Sequence, residues 1–214
     1  MITTFKRNIK PGIYVVVDPS MAEAVLLDRI ERCAQEEIVA LQVWDNFLPG
    51  QNIYKLLQRI CELCHARDIP VIINNRWQLL ENIPLDGVHF DKVPGNYQLI
   101  KEVIKRPFIS GVTCNNELSV VHWANEQQLD YLSFCSMFPS STSNSCELVH
   151  FDTIREAKKI SSLPVFLTGG IRPGNMHELD GLGYTGIAVV SGIMNTNKPD
   201  ESIKEYREKL KNKS

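Results

Sequence analysis

The stretch PVFLTGGIRPGN, residues 164–175, contains an apolar strand pattern that ends in two consecutive glycines. Val165 and Phe166 are bulky and suit a buried strand. Glycine brings no side chain and loses much backbone freedom on folding, so a pair of glycines at a strand end indicates a close approach to the backbone. About twenty residues later, AVVSGI at 188–193 repeats the pattern. The two stretches predict a pair of strands whose ends expose main-chain groups.

Outward from this pair, short apolar runs rich in Val and Ile alternate with amphipathic runs along the chain. Continuous apolar runs of this length are typical of strands buried on both faces, and the runs between them have helical periodicity. One run, RWQLLENIP at 76–84, stops at a proline and predicts a crossover of only a turn or two. Eight segments have the strand pattern: residues 12–18, 39–45, 70–75, 87–90, 108–113, 131–136, 164–169 and 186–192.

This alternation of strands and helices predicts an α/β fold with a parallel sheet. Eight uninterrupted units favour a closed (β/α)8 TIM barrel over an open doubly wound sheet. No G-x-G-x-x-G motif follows the first strand, and no Ser/Gly-rich linker divides the chain. We therefore expect one barrel domain over residues 1–214.

Composition and charge exclude several classes of function. The 214 residues are 43% hydrophobic and 22% charged, with a formal net charge of −2, so no basic field points to nucleic acid. No run of 18 apolar residues predicts a membrane span, and MITTFKRNIKPG at 1–12 has no apolar signal core. We expect a cytoplasmic protein without nucleic-acid or membrane partners.

The segment CELCH, Cys61 to His65, matches the C-x-x-C-H pattern of covalent haem attachment. It lies in an amphipathic run in which Leu57, Ile60, Cys61 and Cys64 share one helical face. Without an export signal, small buried apolar residues are the preferred interpretation of these cysteines.

The two glycine-containing strand ends predict a phosphate site. In a (β/α)8 barrel the functional face lies at the C-terminal ends of the strands, and phosphate commonly binds after strands 7 and 8. Small residues there allow backbone N–H groups to face an anion, and a helix N-terminus adds to the attraction. The alternative is that these are simple turn glycines. The predicted phosphate-binding residues are Thr168, Gly169, Gly170, Ser191 and Gly192.

From about residue 12 to residue 210 the sequence resembles the thiamine phosphate synthase and thiazole tautomerase family. The segments that carry the resemblance are LQVWDN (41–46), VIINN (71–75), LDGVHF (85–90), SGVT (110–113), YLSFCSMFPS (131–140), LTGGI (167–171) and IAVVSGI (187–193). The resemblance implies a (β/α)8 barrel that joins hydroxymethylpyrimidine diphosphate to thiazole phosphate with Mg²⁺ and releases pyrophosphate. A tautomerase branch binds thiazole phosphate without the diphosphate chemistry.

Carried over residue by residue, the resemblance implies four catalytic residues that face the pyrimidine ring. Gln42 and Asn74 match a glutamine on strand 2 and an asparagine on strand 3. His89 matches the histidine of a G-I-H motif, and Thr113 stands where the family has a serine on strand 5. The glycines after strand 7, with Ser191 and Gly192 after strand 8, match the thiazole-phosphate half of the site.

The diphosphate half of the family pattern is largely replaced. The strand 2 motif Q-F-R-E-K reads QVWDN at 42–46, so both cations are missing. Asn75 occupies the position of one metal-binding aspartate, and the second aligns near Pro94. A flexible-loop lysine aligns near Ser143, and the tautomerase histidine is Asn115. Since the departure of a diphosphate is catalysed chiefly by electrostatic stabilisation, these losses bear directly on activity.

Some replacements for the missing groups exist near the same strand ends. Asn75 and Asp91 are the candidate metal ligands for Mg²⁺, with Asp45 as a further carboxylate. Arg76, Lys92 or Arg172 is the candidate cation for a phosphate, although each side chain suits a solvated strand end as well. Trp44, where the family has arginine, suits stacking on a heterocycle or filling of the diphosphate cavity.

Three functions stay open from the sequence. The first is a thiamine phosphate synthase-like transferase acting on small phosphorylated heterocyclic substrates. The second is a tautomerase-like isomerase of a phosphorylated heterocycle, and the third is a non-catalytic barrel that binds such a ligand. Barrels of this size often pair, so a homodimer with Trp123 or Phe151 in its interface is a further expectation.

Overall fold

Eight parallel strands close into a barrel in a computed structural model that describes residues 6–140 and 147–211. Each strand pairs with the next along the chain, and the last returns to the first, so the order around the ring is the sequence order. The α/β (β/α)8 barrel expected from the sequence is confirmed. The strands are β1 (Gly12–Val17), β2 (Ile38–Val43), β3 (Val71–Asn74), β4 (Gly87–Phe90), β5 (Ile109–Thr113), β6 (Tyr131–Cys135), β7 (Val165–Thr168) and β8 (Gly186–Val189).

Helices connect these strands and cover the barrel. Asparagine side chains cap two of them: Asn52 accepts from the Lys55 amide, and Asn96 accepts from the Leu99 amide. The α-helices are α1 (Glu23–Ala34), α2 (Ile53–His65), α3 (Tyr97–Ile104), α4 (Leu118–Glu126), α5 (Phe151–Ile160), α6 (Ser191–Met194) and α7 (Pro199–Lys211).

Two connections are 3₁₀ helices. Trp77–Glu81 links β3 to β4, which confirms the short crossover expected before Pro84, and Pro173–Leu179 links β7 to β8. The last strand is shorter than the sequence pattern, because the chain turns into α6 directly after Val190. The small residues that end the pattern therefore lie in a helical turn.

The apolar strands pack in two separate cores. Side chains that point outward form a core with the helices, and those that point inward fill the barrel. Tyr14, Tyr131 and Phe166 meet inside in edge-to-face pairs, with ring centroids 5.6–5.9 Å apart. Because both faces are buried, the strands read as continuous apolar runs. The aromatic cluster fills the middle of the barrel and forms the floor of the cavity above it.

The segment before β1 lies at the N-terminal ends of the strands. Arg7 donates to the buried Asp86 at 2.5 Å, and Ile9 packs against the interior core. Asp86 also hydrogen-bonds to His65 at 2.7 Å and accepts from the Val71 amide at 2.8 Å. Burial by itself would raise the pKa of Asp86, but the hydrogen bonds from His65, Val71 and Arg7 outweigh it, and the pKa is lowered.

The structure also bears on the remaining sequence expectations. Cys61 and Cys64 are buried, and burial raises the pKa of the Cys64 thiol to about 12, which suits apolar packing. Trp123 and Phe151 pack against the outer core of their own chain. Within residues 6–140 and 147–211, no helix has the length and apolar character needed to cross a membrane. Ser143 lies outside the described residues.

Candidate functional site

A pocket of about 530 Å³ opens at the C-terminal ends of the strands, above the aromatic floor. Every strand, or the residue just after it, contributes to its wall. One predicted site residue, Asn75, does not line it. The ten predicted site residues that do are Gln42, Asn74, His89, Asp91, Thr113, Thr168, Gly169, Gly170, Ser191 and Gly192.

The glycine pair after β7 is required by backbone conformation and by a neighbouring segment. Gly169 and Gly170 have φ of +89° and +68°, which side chains disfavour. A β-carbon on Gly169 would overlap the Ser136 hydroxyl, and one on Gly170 would lie 2.5 Å from the Phe138 carbonyl oxygen. The amides of Met137 and Phe138 donate to the Thr168 and Gly169 carbonyls at 2.9 and 3.0 Å. The close approach expected at this strand end is therefore made by the segment after β6.

Gly169 and Gly170 have no side chains, so they line the pocket with their main chain. Within the described residues, no oxygen accepts from the amides of Gly169 or Gly170. Ser191 and Gly192 begin α6, where amides have no intrahelical partner. Together with the Thr168 and Ser191 hydroxyls, these groups form an amide nest of a kind that suits an anion.

Gly192 has a packing role of its own. A β-carbon there would overlap the hydroxyl of Tyr206, which donates to the Ile171 carbonyl at 2.9 Å. This hydrogen bond joins α7 to the segment after β7, so the two strand ends are held together from behind. Small size at position 192 is needed for that contact.

Arg172 follows the amide nest and lines the pocket. Among the described lining residues it is the sole lysine or arginine, and no described carboxylate forms an ion pair with it. Its side chain is exposed. A guanidinium at this position would complement an anion at the nest.

Polar side chains on six consecutive strands are joined by hydrogen bonds across the pocket and its floor. His89 contacts Thr113 and Tyr131, at 2.9 Å each. Tyr131 contacts Tyr14 at 3.0 Å, and Tyr14 donates to Gln42 at 2.9 Å. The series ends in two side-chain amides and a carboxylate. Gln42 donates to Asn74 at 2.5 Å, and Asn74 donates to Asp91 at 2.9 Å. We call this series the polar chain; its members are Thr113, His89, Tyr131, Tyr14, Gln42, Asn74 and Asp91.

Burial controls the charge of the polar chain. Burial lowers the pKa of His89 to about 4, against a smaller opposing effect of the Asp91 charge. Burial also raises the pKa of the Tyr14 and Tyr131 hydroxyls. At neutral pH the imidazole and both phenols are therefore uncharged, and they act as hydrogen-bonding groups.

Sequence reasoning missed part of this site. Tyr14 and Tyr131 lie in the middle of apolar runs, where an aromatic side chain reads as core. Ser133 and Cys135 also line the pocket. The available signal is alternation: Tyr131, Ser133 and Cys135 are two residues apart and share the inward face of β6.

The candidate metal ligands bind each other. Asp91 accepts from the side-chain amides of Asn74 and Asn75 at 2.9 and 2.8 Å through one oxygen, and its own amide donates to Asn75 at 3.0 Å. The nearby Asp45 is bonded to Arg76 at 2.5 Å. No group of three or more potential metal-ligating side chains exists in the described parts of the chain. These residues do not fit Mg²⁺, which needs near-octahedral oxygen ligands.

The wall formed by β2, β3 and β4 differs in charge from the amide nest. Trp44, Asn74, His89 and Asp91 line it, without a lysine or arginine among the described residues. Trp44 packs against the interior core and presents an aromatic surface to the pocket. This wall suits an uncharged heterocycle better than a polyanion.

The closed barrel, with a deep polar pocket at the C-terminal ends of its strands, places the chain among the (β/α)8-barrel proteins that bind ligands at this face. Comparisons with known proteins give the particular family. The family model described as thiamine monophosphate synthase matches residues 13–193, and the chain therefore belongs to that family.

Relatives agree with this assignment, and a solved structure agrees with the fold. The chain is 30% identical to thiamine-phosphate synthase 1 of Aquifex aeolicus, over 93% of this chain and 94% of the relative. It is 27% identical to the thiamine-phosphate synthase of Methanobrevibacter smithii, over 95% and 99% of the two chains. The structure of a thiamine phosphate pyrophosphorylase from Pyrococcus furiosus superimposes with a TM-score of 0.81 at 22% identity, covering 95% and 96% of the two chains.

Proposed function

We propose that this protein is a thiamine phosphate synthase of thiamine biosynthesis, a transferase that couples hydroxymethylpyrimidine diphosphate with thiazole phosphate and releases pyrophosphate. The observation that carries the proposal is that one pocket of a barrel of this family joins the amide nest after β7 and β8 to Gln42, Asn74 and His89. The nest suits the phosphate of the thiazole, and the side chains suit the pyrimidine ring.

Each group has a role that its geometry allows. The Gly169 and Gly170 amides, with Ser191, bind the phosphate monoester, and Arg172 balances its charge. The amides of Gln42 and Asn74 orient the pyrimidine, since each has a second N–H outside its bond in the polar chain. Trp44 stacks on a ring. Holding the two rings together in a pocket converts a bimolecular reaction into an effectively unimolecular one.

A second function is favoured by the wall around β2, β3 and β4. That wall has no described cation for a diphosphate, and Asp91 and Asn75 are bonded to each other. An isomerase of a phosphorylated heterocycle, similar to the thiazole tautomerases, or a non-catalytic binder of such a ligand needs only the nest and an uncharged ring surface.

Two binding titrations and one assay separate these functions. Thiazole phosphate is titrated alone, and hydroxymethylpyrimidine diphosphate is titrated with Mg²⁺, each by calorimetry. Saturable binding of both, with release of pyrophosphate when they are mixed, supports the synthase. Binding of thiazole phosphate alone contradicts the synthase and supports the second function. Binding of neither contradicts both.

A matched pair of variants tests the pocket itself. Asn74→Ala removes an amide from the wall and should lower turnover or pyrimidine binding at least tenfold. Asn52→Ala removes an asparagine that caps α2 and does not line the pocket, so turnover should be unchanged. Equal effects of the two substitutions would contradict the assigned site.

Cytoplasmic location and a homodimer complete the proposal. The family resemblance implies Mg²⁺, whereas Asn75 and Asp91 are bonded to each other, so the assay is run both with and without the metal. Light scattering during gel filtration measures the mass in solution against 24.3 kDa for one chain.

A further inference from the structure

We propose that Asp91 is a positioning residue that fixes the tautomer of His89 through four intervening side chains of the polar chain. The inference concerns the pocket of the proposed function but does not depend on the reaction that occurs there. It follows from the hydrogen-bonding capacity of each group, taken in order from the carboxylate.

The first step fixes the two side-chain amides. An ionised carboxylate only accepts hydrogen bonds, so Asn74 must direct its Nδ2 to Asp91, at 2.9 Å. The Oδ1 of Asn74 then faces Gln42, which must donate its Nε2 to it, at 2.5 Å. The Oε1 of Gln42 is therefore the acceptor that faces the next strand.

The second step passes through the two buried phenols. Tyr14 must donate to the Gln42 oxygen, at 2.9 Å, and a phenol has one hydrogen. The contact between Tyr14 and Tyr131, at 3.0 Å, therefore uses the Tyr131 hydrogen. With that hydrogen used, the Tyr131 oxygen is an acceptor toward His89, at 2.9 Å. His89 must therefore carry its proton on Nδ1.

The third step reaches the pocket surface. A neutral imidazole with Nδ1–H has a bare Nε2, which accepts from the Thr113 hydroxyl at 2.9 Å. Thr113 lines the pocket and is partly exposed, and its hydroxyl hydrogen is committed to His89. It therefore presents only lone pairs to a ligand. The pocket accepts an N–H or O–H group at this point and disfavours a ligand that places an acceptor there.

Without the Asp91 carboxylate, nothing among these side chains determines which partner donates and which accepts in each hydrogen bond of the polar chain. If both amides flip and the hydroxyls turn, each contact from Asn74 to Thr113 is made in the reverse sense, and His89 then carries its proton on Nε2. The reversed arrangement has the same number of hydrogen bonds between those residues. Among the described residues, it is Asp91, a carboxylate that accepts without donating, that distinguishes the two directions.

The tautomer can be measured on the ligand-free protein. In protein labelled with ¹⁵N-histidine, long-range ¹H–¹⁵N spectra distinguish the protonated ring nitrogen from the bare one, and His89→Gln assigns the signal by its disappearance. We expect one tautomer with Nδ1 protonated at neutral pH. A signal from the Nε2–H tautomer in the unaltered protein would overturn the proposal.

Substitutions test the coupling to Asp91. In Asp91→Ala both directions are allowed, so we expect the spectrum to change from one tautomer to comparable populations of two. The matched control is Asp45→Ala, which removes a carboxylate at the end of β2 that bonds to Arg76 and stands outside the polar chain. The tautomer of His89 should be unchanged in this control. An unaltered His89 tautomer in a folded Asp91→Ala protein would contradict the coupling. If Asp91→Ala fails to fold, Asn74→Ala replaces it, since it breaks the same series: two tautomers would support the coupling and a single unaltered tautomer would contradict it.

Discussion

Gly170 faces the Phe138 carbonyl so closely that a β-carbon on the glycine would lie 2.5 Å from that oxygen. The end of β7 and the segment after β6 are thus in contact through their backbones. The amide of Phe138 donates to Gly169 at 3.0 Å and completes the contact. The shape of the amide nest therefore depends on this junction as well as on its own residues.

Gly170→Ala should both destabilise the protein and weaken the nest. The new β-carbon must displace the Phe138 backbone, and the residue has φ of +68°. Overpacking typically costs about 1–3 kcal/mol, and a left-handed conformation adds about 1–2 kcal/mol for alanine. We expect the free energy of unfolding in urea to fall by about 2–5 kcal/mol and thiazole phosphate binding to weaken at least tenfold.

The control for this prediction is Gly95→Ala, since Gly95 lies in the loop after β4 with open space around its β-carbon position. Its stability should stay within about 0.5 kcal/mol of the unaltered protein or rise slightly. If Gly170→Ala also retained full stability and affinity, the junction with Phe138 would not control the nest.

Gly192→Ala should be destabilising because of Tyr206, whose hydroxyl occupies the space a β-carbon needs. Tyr206→Phe removes that hydroxyl and loses its hydrogen bond to the Ile171 carbonyl, which costs about 1 kcal/mol. In the double variant the clash is relieved, so its loss of stability should be smaller than the sum of the two single losses. Urea unfolding of the three variants measures this coupling, and strict additivity would show that the glycine is not needed for packing on α7.

The fold was predictable because each strand is buried on both faces. The runs around Val165 and Ala188 carry that signal locally, and their regular alternation with helices gives the barrel. The glycines of the pocket and a close approach at the end of β7 were predictable, but the segments that make the approach were not. The partners of Gly170 and Gly192 are Phe138 and Tyr206, which are distant in the chain, and sequence spacing does not reveal such contacts.

The polar chain was only partly predictable for a similar reason. Gln42 and His89 stand out as polar residues in apolar strands, whereas Tyr14 and Tyr131 suit the core equally well. A buried tyrosine can serve only to fill the core, or its hydroxyl can also hydrogen-bond to polar side chains on other strands. Which of these occurs depends on which side chains the closed barrel brings together in its interior. That information comes only from the closed ring and its register.

Arg172→Gln should weaken binding of a phosphate monoester, because it removes the one described cation of the pocket lining. Charge-assisted hydrogen bonds contribute about 1.5–3 kcal/mol, so the dissociation constant for thiazole phosphate should rise by about tenfold or more. Arg76→Gln is the matched control, since Arg76 bonds to Asp45 at 2.5 Å and does not line the pocket. Calorimetric titration compares the two, and an equal loss in both would assign the effect to general charge.

The buried Asp86 carboxylate at the N-terminal ends of the strands should make the free energy of unfolding depend on pH in the acid range. Because the pKa of Asp86 is lowered in the folded protein, the unfolded state binds the proton more tightly. The stabilisation of the folded state by the ionised Asp86 is therefore fully present above the ordinary aspartate pKa of 3.8. It is lost as the pH falls through the pKa of the folded state. Asp86→Asn leaves Arg7 without its buried partner and should cost about 3 kcal/mol at neutral pH. Urea unfolding at several pH values should show this difference shrinking below about pH 4.

The exposed ion pair of Asp152 with Arg155 gives the control for that experiment. Surface pairs contribute about 0–1 kcal/mol, so Asp152→Asn should have a small effect at every pH. A difference between Asp86→Asn and the unaltered protein that stayed constant down to the acid transition would contradict the lowered pKa.

Asn75→Asp should convert the junction between Asn75 and Asp91 into a site that responds to Mg²⁺. At present the Asn75 amide donates to the Asp91 carboxylate at 2.8 Å, and a second carboxylate in its place would repel the first. We expect the thermal midpoint of the variant to fall without metal and to rise again with millimolar Mg²⁺, because a divalent cation binds carboxylate oxygens and relieves the repulsion. The unaltered protein should show no such rise, and potassium at equal ionic strength controls for screening in both proteins. An equal Mg²⁺ response in the two proteins would mean that the ion binds elsewhere or that Asp91 already binds it, and the hydrogen-bonded pair would then not be what excludes the metal.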